Sequence, residues 1–184
     1  MSKTIIFLNG FAIPVALAKT KFVWDDLLWK NYNRVYSTSK IPLSDQMVEA
    51  ELDRLSELIS QYDEPIIAGH SLGAWWAANL ACSSQFKIKK LVFLTPLGDI
   101  TNYPIFNISS KFHLPTKCPH KLYHGNDKSL LIQSTMDLIV PSYNHSPAII
   151  DIFNPTIFSL FGGHLFQLNH NEGLSFMKRW IEKE

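Results

Sequence analysis

Two cysteines in 184 residues, Cys82 and Cys118, are too few for a disulfide framework and form no paired metal motif. They suit a reducing compartment, and the expectation is a cytoplasmic protein. No apolar run approaches the roughly 20 residues that a membrane helix needs, so no membrane span is expected. Charge is sparse as well: 18% of residues are charged and the net charge is +1. The densest positive run, Lys87, Lys89 and Lys90, has the size of a helix cap or a solvated loop, so nucleic acid is not an expected partner. Repeats and low-complexity tracts are missing too. What remains is an ordinary globular composition, 46% hydrophobic, in a chain long enough for one domain (residues 1–184) and short for two. Nothing in these residues fixes an oligomeric state.

The first twenty residues, MSKTIIFLNGFAIPVALAKT, mimic a secretory leader with an early Lys, an apolar stretch and an Ala-Leu-Ala before Lys19. Asn9 and Gly10 break the apolar stretch too early for a leader, so a buried strand (Thr4 to Gly10) and the loop after it are expected instead. Apolar and amphipathic runs then alternate. A helix is expected with Trp24, Leu27, Leu28 and Asn31 on one side, then a weaker strand near Val35. Next comes a helix behind the N-cap Ser44, with Val48, Leu52, Leu55 and Ile59 at helical spacing. Further strands are read in PIIAGH, KKLVFLTP, SLLIQS (Ser129 to Ser134) and TIFSLFGG (Thr156 to Gly163). The closing helix turns Leu174, Met177 and Ile181 inward. This order predicts an α/β fold with a six-stranded, mainly parallel sheet flanked by helices. The irregular stretch from Pro96 to Lys128 is too long for a plain connection and reads as a lid or cap insertion.

Glycine is scarce, 8 in all, yet two of them bracket one serine in GHSLG, between an apolar strand and a small-residue helix. A strand-to-helix turn that lifts a side chain at its tip forces strained angles on the tip residue and admits only small neighbours two positions away. Gly69 and Gly73 meet that need around Ser71, giving the nucleophile-elbow pattern G-x-S-x-G. The geometry exposes the Ser71 hydroxyl and turns the Leu72 N–H, at the helix start, toward a developing oxyanion.

A serine hydroxyl is a weak nucleophile unless a base takes its proton and an acid orients that base. Asp137 follows the fifth strand, and His164 sits in a glycine-opened loop after the sixth. The chain order Ser71, Asp137, His164 is nucleophile, acid, base. Two other acids compete. Asp127 lies in YHGNDKS, 37 positions before His164, whereas Asp137 lies 27 before it and leaves room for one helix and one strand. Asp99 follows the fourth strand. Asp137 ranks first of the three.

With these three loops the chain resembles the α/β-hydrolase family from Thr4 to the final helix, through GHSLG, STMDLIVP, GGH and FLNGF. Its compactness is similar to the small YdeN-type serine hydrolases. The resemblance implies that the loop after the first strand supplies a second oxyanion donor, the N–H of Phe11 or of Ala12, with Phe11 preferred. The family often has His-Gly there; this chain has Asn9-Gly10.

The implied activity is hydrolysis of a carboxylic ester through an acyl-enzyme, without cofactor or metal, on a small-molecule ester or thioester. The aromatic and aliphatic lid favours an apolar acyl group. An acyl thioesterase or carrier-protein ester hydrolase is the alternative, and a non-catalytic binding module on a hydrolase scaffold is a third reading. The remaining histidines carry no ligand spacing: His70 belongs to elbow packing, and His113, His120, His124, His145 and His170 to loops. Cys118 and His120 make no zinc site. Trp75 and Trp76 are core or pocket residues.

Overall fold

Ile5, Ile6, Phe7 and Leu8 are all fully buried, so the strand that carries them must be covered on both faces. A computed structural model of the chain describes residues 3–10, 15–19, 24–38, 40–83, 86–115, 118, 127–139, 142–163 and 170–183. In it this strand is β1 (Thr4–Asn9), second in a six-stranded sheet. The others are β2 (Asn33–Thr38), β3 (Ile66–His70), β4 (Lys90–Leu94), β5 (Ser129–Ser134) and β6 (Thr156–Leu160). Their order is β2-β1-β3-β4-β5-β6, and every pairing is parallel.

The alternation of side chains sorts the core into two layers. Ile6, Leu8, Ile67, Leu91, Phe93 and Leu131 meet helices α2 (Asp45–Ser60), α3 (Leu72–Ser83) and α4 (Ser142–Phe153). On the other face, Ile5, Phe7, Ala68, Val92 and Ile132 share a core with Trp24, Trp29 and α5 (His170–Glu182). A four-residue helix, α1 (Val15–Ala18), contributes Ala18 there. From β1 the chain steps outward to β2, then returns past β1 to β3. Neighbouring strands β1 and β3 thus feed connections on opposite faces, which opens a crevice at their C-terminal ends.

Local chemistry sets the element ends. Ser44 caps α2, its hydroxyl accepting from Met47 N at 3.3 Å. All of α3 from Leu72 to Cys82 is buried, its alanines letting it lie close on the sheet; Trp75 and Trp76 are both fully buried and pack edge to face. The helix expected around Trp24 to Asn31 is instead a single 3-10 turn, Asp26–Trp29. Asp25 at φ 49° blocks helix entry, and the Asp26 carboxylate is drawn to Arg34 (2.8 Å) and Tyr36 (2.7 Å) on β2. Leu27 consequently points to solvent while Trp24 and Trp29 fill the core.

The expected lid region begins as three 3-10 turns, Ile100–Asn102, Pro104–Phe106 and Ser110–Phe112; residues 116–117 and 119–126 lie outside the described residues. Cys82 and Cys118, distant in sequence, meet in the core as free thiols, and a hydrogen bond with Cys118, then burial, push the Cys82 thiol up. No helix among the described residues is long and apolar enough to cross a membrane.

Candidate active site

Ser71 sits one residue beyond β3, at the C-terminal edge of the sheet beside the β1/β3 crevice. Its φ of 54° is in the left-handed region, costly for any residue with a β-carbon. Surrounding bonds hold it there: Ser71 N donates to Leu94 O at 3.0 Å, while Ala74 N (3.0 Å) and Leu97 N (3.1 Å) donate to Ser71 O. The flanking glycines are sterically required. A β-carbon on Gly69 would overlap the Gly73 carbonyl, and one on Gly73 would overlap the Leu8 carbonyl of β1. Leu72 opens α3, so its N–H is one of the unpaired donors at that helix start.

Gly10 follows β1 and lies against Ser71: its β-carbon would stand 2.9 Å from Ser71 Cβ. The loop expected to carry the second oxyanion donor therefore leaves β1 at the serine. Phe11 and Ala12 themselves lie outside the described residues. The preceding Asn9 is fully buried and its Oδ1 accepts from Trp24 Nε1 at 2.7 Å. The Trp24 ring stands edge-on to His70, 6.4 Å between centroids. Sequence reading missed this pair, since 15 positions separate Asn9 from Trp24 and no motif joins them.

The three candidate acids have separate environments. Asp137 is buried at 4% exposure in the loop after β5, with Oδ1 accepting from Ile139 N at 2.9 Å. That loop is tied to the one after β6: Thr135 N donates to Leu160 O (2.8 Å), Met136 N to Gly162 O (3.2 Å), and the Ser134 hydroxyl to the same Gly162 carbonyl. Gly162 is two residues before His164, which itself lies outside the described residues. Asp99, at the same sheet edge, accepts from Thr101 N (3.1 Å), Thr101 Oγ1 (2.6 Å), Leu114 N (3.0 Å) and His113 Nδ1 (2.8 Å). Its carboxylate is thereby engaged in holding the turns that follow β4, and His113 has a partner that its sequence context did not reveal. Asp127 is exposed just before β5, at the N-terminal edge of the sheet, opposite Ser71.

His145, on α4, is buried too. Its Nδ1 accepts from Gly98 N at 3.2 Å, and its ring stacks on Tyr103 at 5.6 Å, pinning the start of the post-β4 segment to α4. The far side of that segment is tied to α2, where Ser109 N donates to Asp45 at 2.8 Å and Lys111 pairs with Glu49 at 2.9 Å. The Ser109 N–H lowers the Asp45 carboxyl below its ordinary range. Between them lies a cleft of about 530 Å³ walled by Tyr103, Pro104 and Ile108; Ser71 does not line it. Among the described residues no three His, Cys, Asp or Glu side chains gather as a metal site.

No family model matches the chain, and no curated protein matches it in sequence. Solved structures do. The ydeN gene product of B. subtilis superposes with a TM-score of 0.72 at 17% identity, covering 99% of this chain and 100% of that one. An alpha/beta hydrolase enzyme from the sediment metagenome of the Mar Chica lagoon, Morocco, gives 0.71 at 16% identity, with 100% and 92% covered. The monoacylglycerol lipase of Paleococcus ferrophilus gives 0.67 at 14% identity, with 98% and 96% covered. Likeness over whole chains, with a six-stranded parallel sheet and a sharp strand-to-helix turn at Ser71, shows that this chain has the α/β-hydrolase fold.

Proposed function

We propose that the protein is a serine hydrolase that cleaves a carboxylic ester with an apolar acyl group. The observation that carries the reading is the strained Ser71, held at φ 54° beside the β1/β3 crevice with Gly10 packed on it. Five other residues with a β-carbon, Asp25 and Thr95 among them, share the left-handed region; Ser71 differs in standing between two sterically required glycines at a strand-to-helix turn. Hydrolase, esterase and lipase names among the similar structures point the same way.

In this account Ser71 Oγ attacks the acyl carbonyl while His164 takes its proton. The tetrahedral oxyanion is held by the N–H groups of Leu72 and Phe11, where donors aimed at developing charge are worth most. His164 then gives its proton to the departing alkoxide as the carbon–oxygen bond breaks. Water, deprotonated by His164, hydrolyses the acyl-enzyme. Asp137 holds the imidazole in the useful tautomer and stabilises its cation. Asp137 is preferred over Asp99 and Asp127 because its loop is stitched to the Gly162 carbonyl, two residues before His164 in the chain.

An apolar acyl group is supported by the surface around these loops. Met136, Leu138, Ile139 and Phe161 are all exposed in the loops after β5 and β6, which meet through the Gly162 carbonyl. In this account the turns that follow β4, residues 97–114, act as the cap, anchored through Leu97 N on Ser71 O.

The test is a panel of p-nitrophenyl esters of increasing chain length run beside acyl-CoA thioesters, with Ser71→Ala as control. The account expects ester turnover that improves with acyl length and vanishes in Ser71→Ala while the melting curve is kept. Preference for the acyl-CoA series would move the assignment to a thioesterase. Absence of turnover on every substrate in folded protein would favour a binding module.

A further inference from the structure

Lys90 opens β4 at the sheet edge opposite Ser71, and it is buried. Its ammonium donates to three carbonyls at the end of α5: Trp180 at 2.9 Å, Ile181 at 3.2 Å and Lys183 at 2.5 Å. One lysine thus satisfies the carbonyls and negative pole of that helix end. Five more cations nevertheless crowd the same place. Lys3, Lys89, Lys128, Arg179 and Lys183 are exposed, and with Lys90 they line one cleft of about 710 Å³.

Asp127 is the one acid among the described residues lining it. Six cations against one carboxylate give the cleft a local charge of +5, while the whole chain carries +1, so everything outside it sums to −4. None of the five exposed cations is ion-paired with a described residue. Glu182, nearby on α5, is engaged with Lys178 at 3.8 Å. The repulsion registers on Lys90, whose ammonium is held below the ordinary lysine range by burial and then by Lys89, Lys128 and Lys3. Helix capping accounts for Lys90 and leaves the other five unexplained.

Like charges gathered in a concave site work against the folded chain until an anion neutralises them. We propose that this cleft binds a small organic polyphosphate of nucleotide size, at a second site distinct from the proposed catalytic one. Its volume lies within the roughly 300–1,000 Å³ typical of small-molecule sites. Arg179 offers a planar fork to phosphate oxygens, and the lysines offer mobile point charges. Phe176, stacked on Phe158 at 3.9 Å, and Trp180, held under Lys90 at 4.8 Å, form a fixed apolar wall for an organic body. The cations converge on one hollow, whereas nucleic acid calls for a basic track along a surface.

The probes are ATP and inorganic triphosphate, measured by calorimetry and thermal melting, with sodium chloride and sodium sulfate at matched ionic strength as controls. Both phosphates should raise Tm more than either control salt does, and ATP should bind more tightly than triphosphate because of the apolar wall. Affinity should weaken as NaCl rises. The surface pair Lys128→Gln with Arg179→Gln should weaken ATP binding about tenfold or more, and Lys111→Gln, at the other sheet edge, should leave it unchanged. The proposal is overturned if ATP does no more than sulfate at matched ionic strength. It is equally overturned if the double variant binds ATP as well as the native chain does. Tighter binding of a single-stranded oligonucleotide than of ATP would reassign the cleft to nucleic acid.

Discussion

Gly10 lies so close to Ser71 that a β-carbon on it would stand 2.9 Å from Ser71 Cβ and 3.1 Å from His70 Nδ1. The end of β1 and the tip of the β3 turn are fitted to each other with no space for a methyl group. Gly10→Ala is expected to displace the serine or the end of β1, from which the proposed oxyanion donor follows, by a fraction of an ångström. Misplacement on that scale costs catalysis more than stability, and kcat should fall about tenfold to a hundredfold. Ester turnover compared with urea unfolding checks this; full activity in the variant would contradict it.

Trp24 Nε1 donates to the fully buried Asn9 Oδ1 at 2.7 Å, at the last residue of β1. Trp24→Phe keeps most of the ring and removes the donor. Leaving a buried acceptor without this partner costs about 1–3 kcal/mol. Equilibrium unfolding should show that loss, and a double-mutant cycle with Asn9→Leu should show coupling between the two sites. Additive effects would mean the bond contributes nothing.

Glu51 is a carboxylate at 1% exposure in the interface of α2, answered by Arg54 through two bonds of 2.7 and 2.9 Å; Arg54 also donates to Ser37 of β2 at 2.8 Å. The pairing raises the Arg54 guanidinium above its ordinary range. Arg54→Met strands a buried charge and should cost about 3 kcal/mol or more. Adding Glu51→Leu should restore much of that loss. Denaturation midpoints of the single and double variants decide it.

Lys90 links stability to alkaline pH. Its folded pKa lies below the unfolded value of about 10.4, because burial and neighbouring lysines disfavour the cation. Between the two pKa values the unfolded chain holds the extra proton, so this group's contribution rises as pH climbs through the folded pKa and levels off above the unfolded one. The unfolding free energy of the native chain relative to Lys90→Met should therefore increase toward that limit. A flat or falling difference would contradict the assignment.

What could be read from the sequence follows range of interaction. Parallel strands covered on both faces appear as short apolar runs, which is why Ile5–Leu8 and Leu130–Ile132 were recognisable. Ser44 and Gly69–Gly73 declared themselves through local rules of capping and crowding. The helix expected near Trp24 failed because its periodicity was imitated by residues answering to distant partners, Trp24 to Asn9 and Asp26 to Arg34 and Tyr36. His113 looked idle until the fold set it against Asp99. Lys89 and Lys90 looked like a minor cap, and Lys90 is one; the cleft emerges only when Lys3, Lys128 and Arg179 arrive from other segments.

The central claim is that Ser71 is an activated nucleophile. Treating the purified protein with a fluorophosphonate and locating the adduct by mass spectrometry tests it most directly, with Ser71→Ala, His164→Ala and Asp137→Asn alongside. The account predicts one adduct, on Ser71, absent in Ser71→Ala and slowed about a hundredfold or more in His164→Ala, with Asp137→Asn also impaired. Folded protein that stays unlabelled, or that labels as fast without His164, would contradict it.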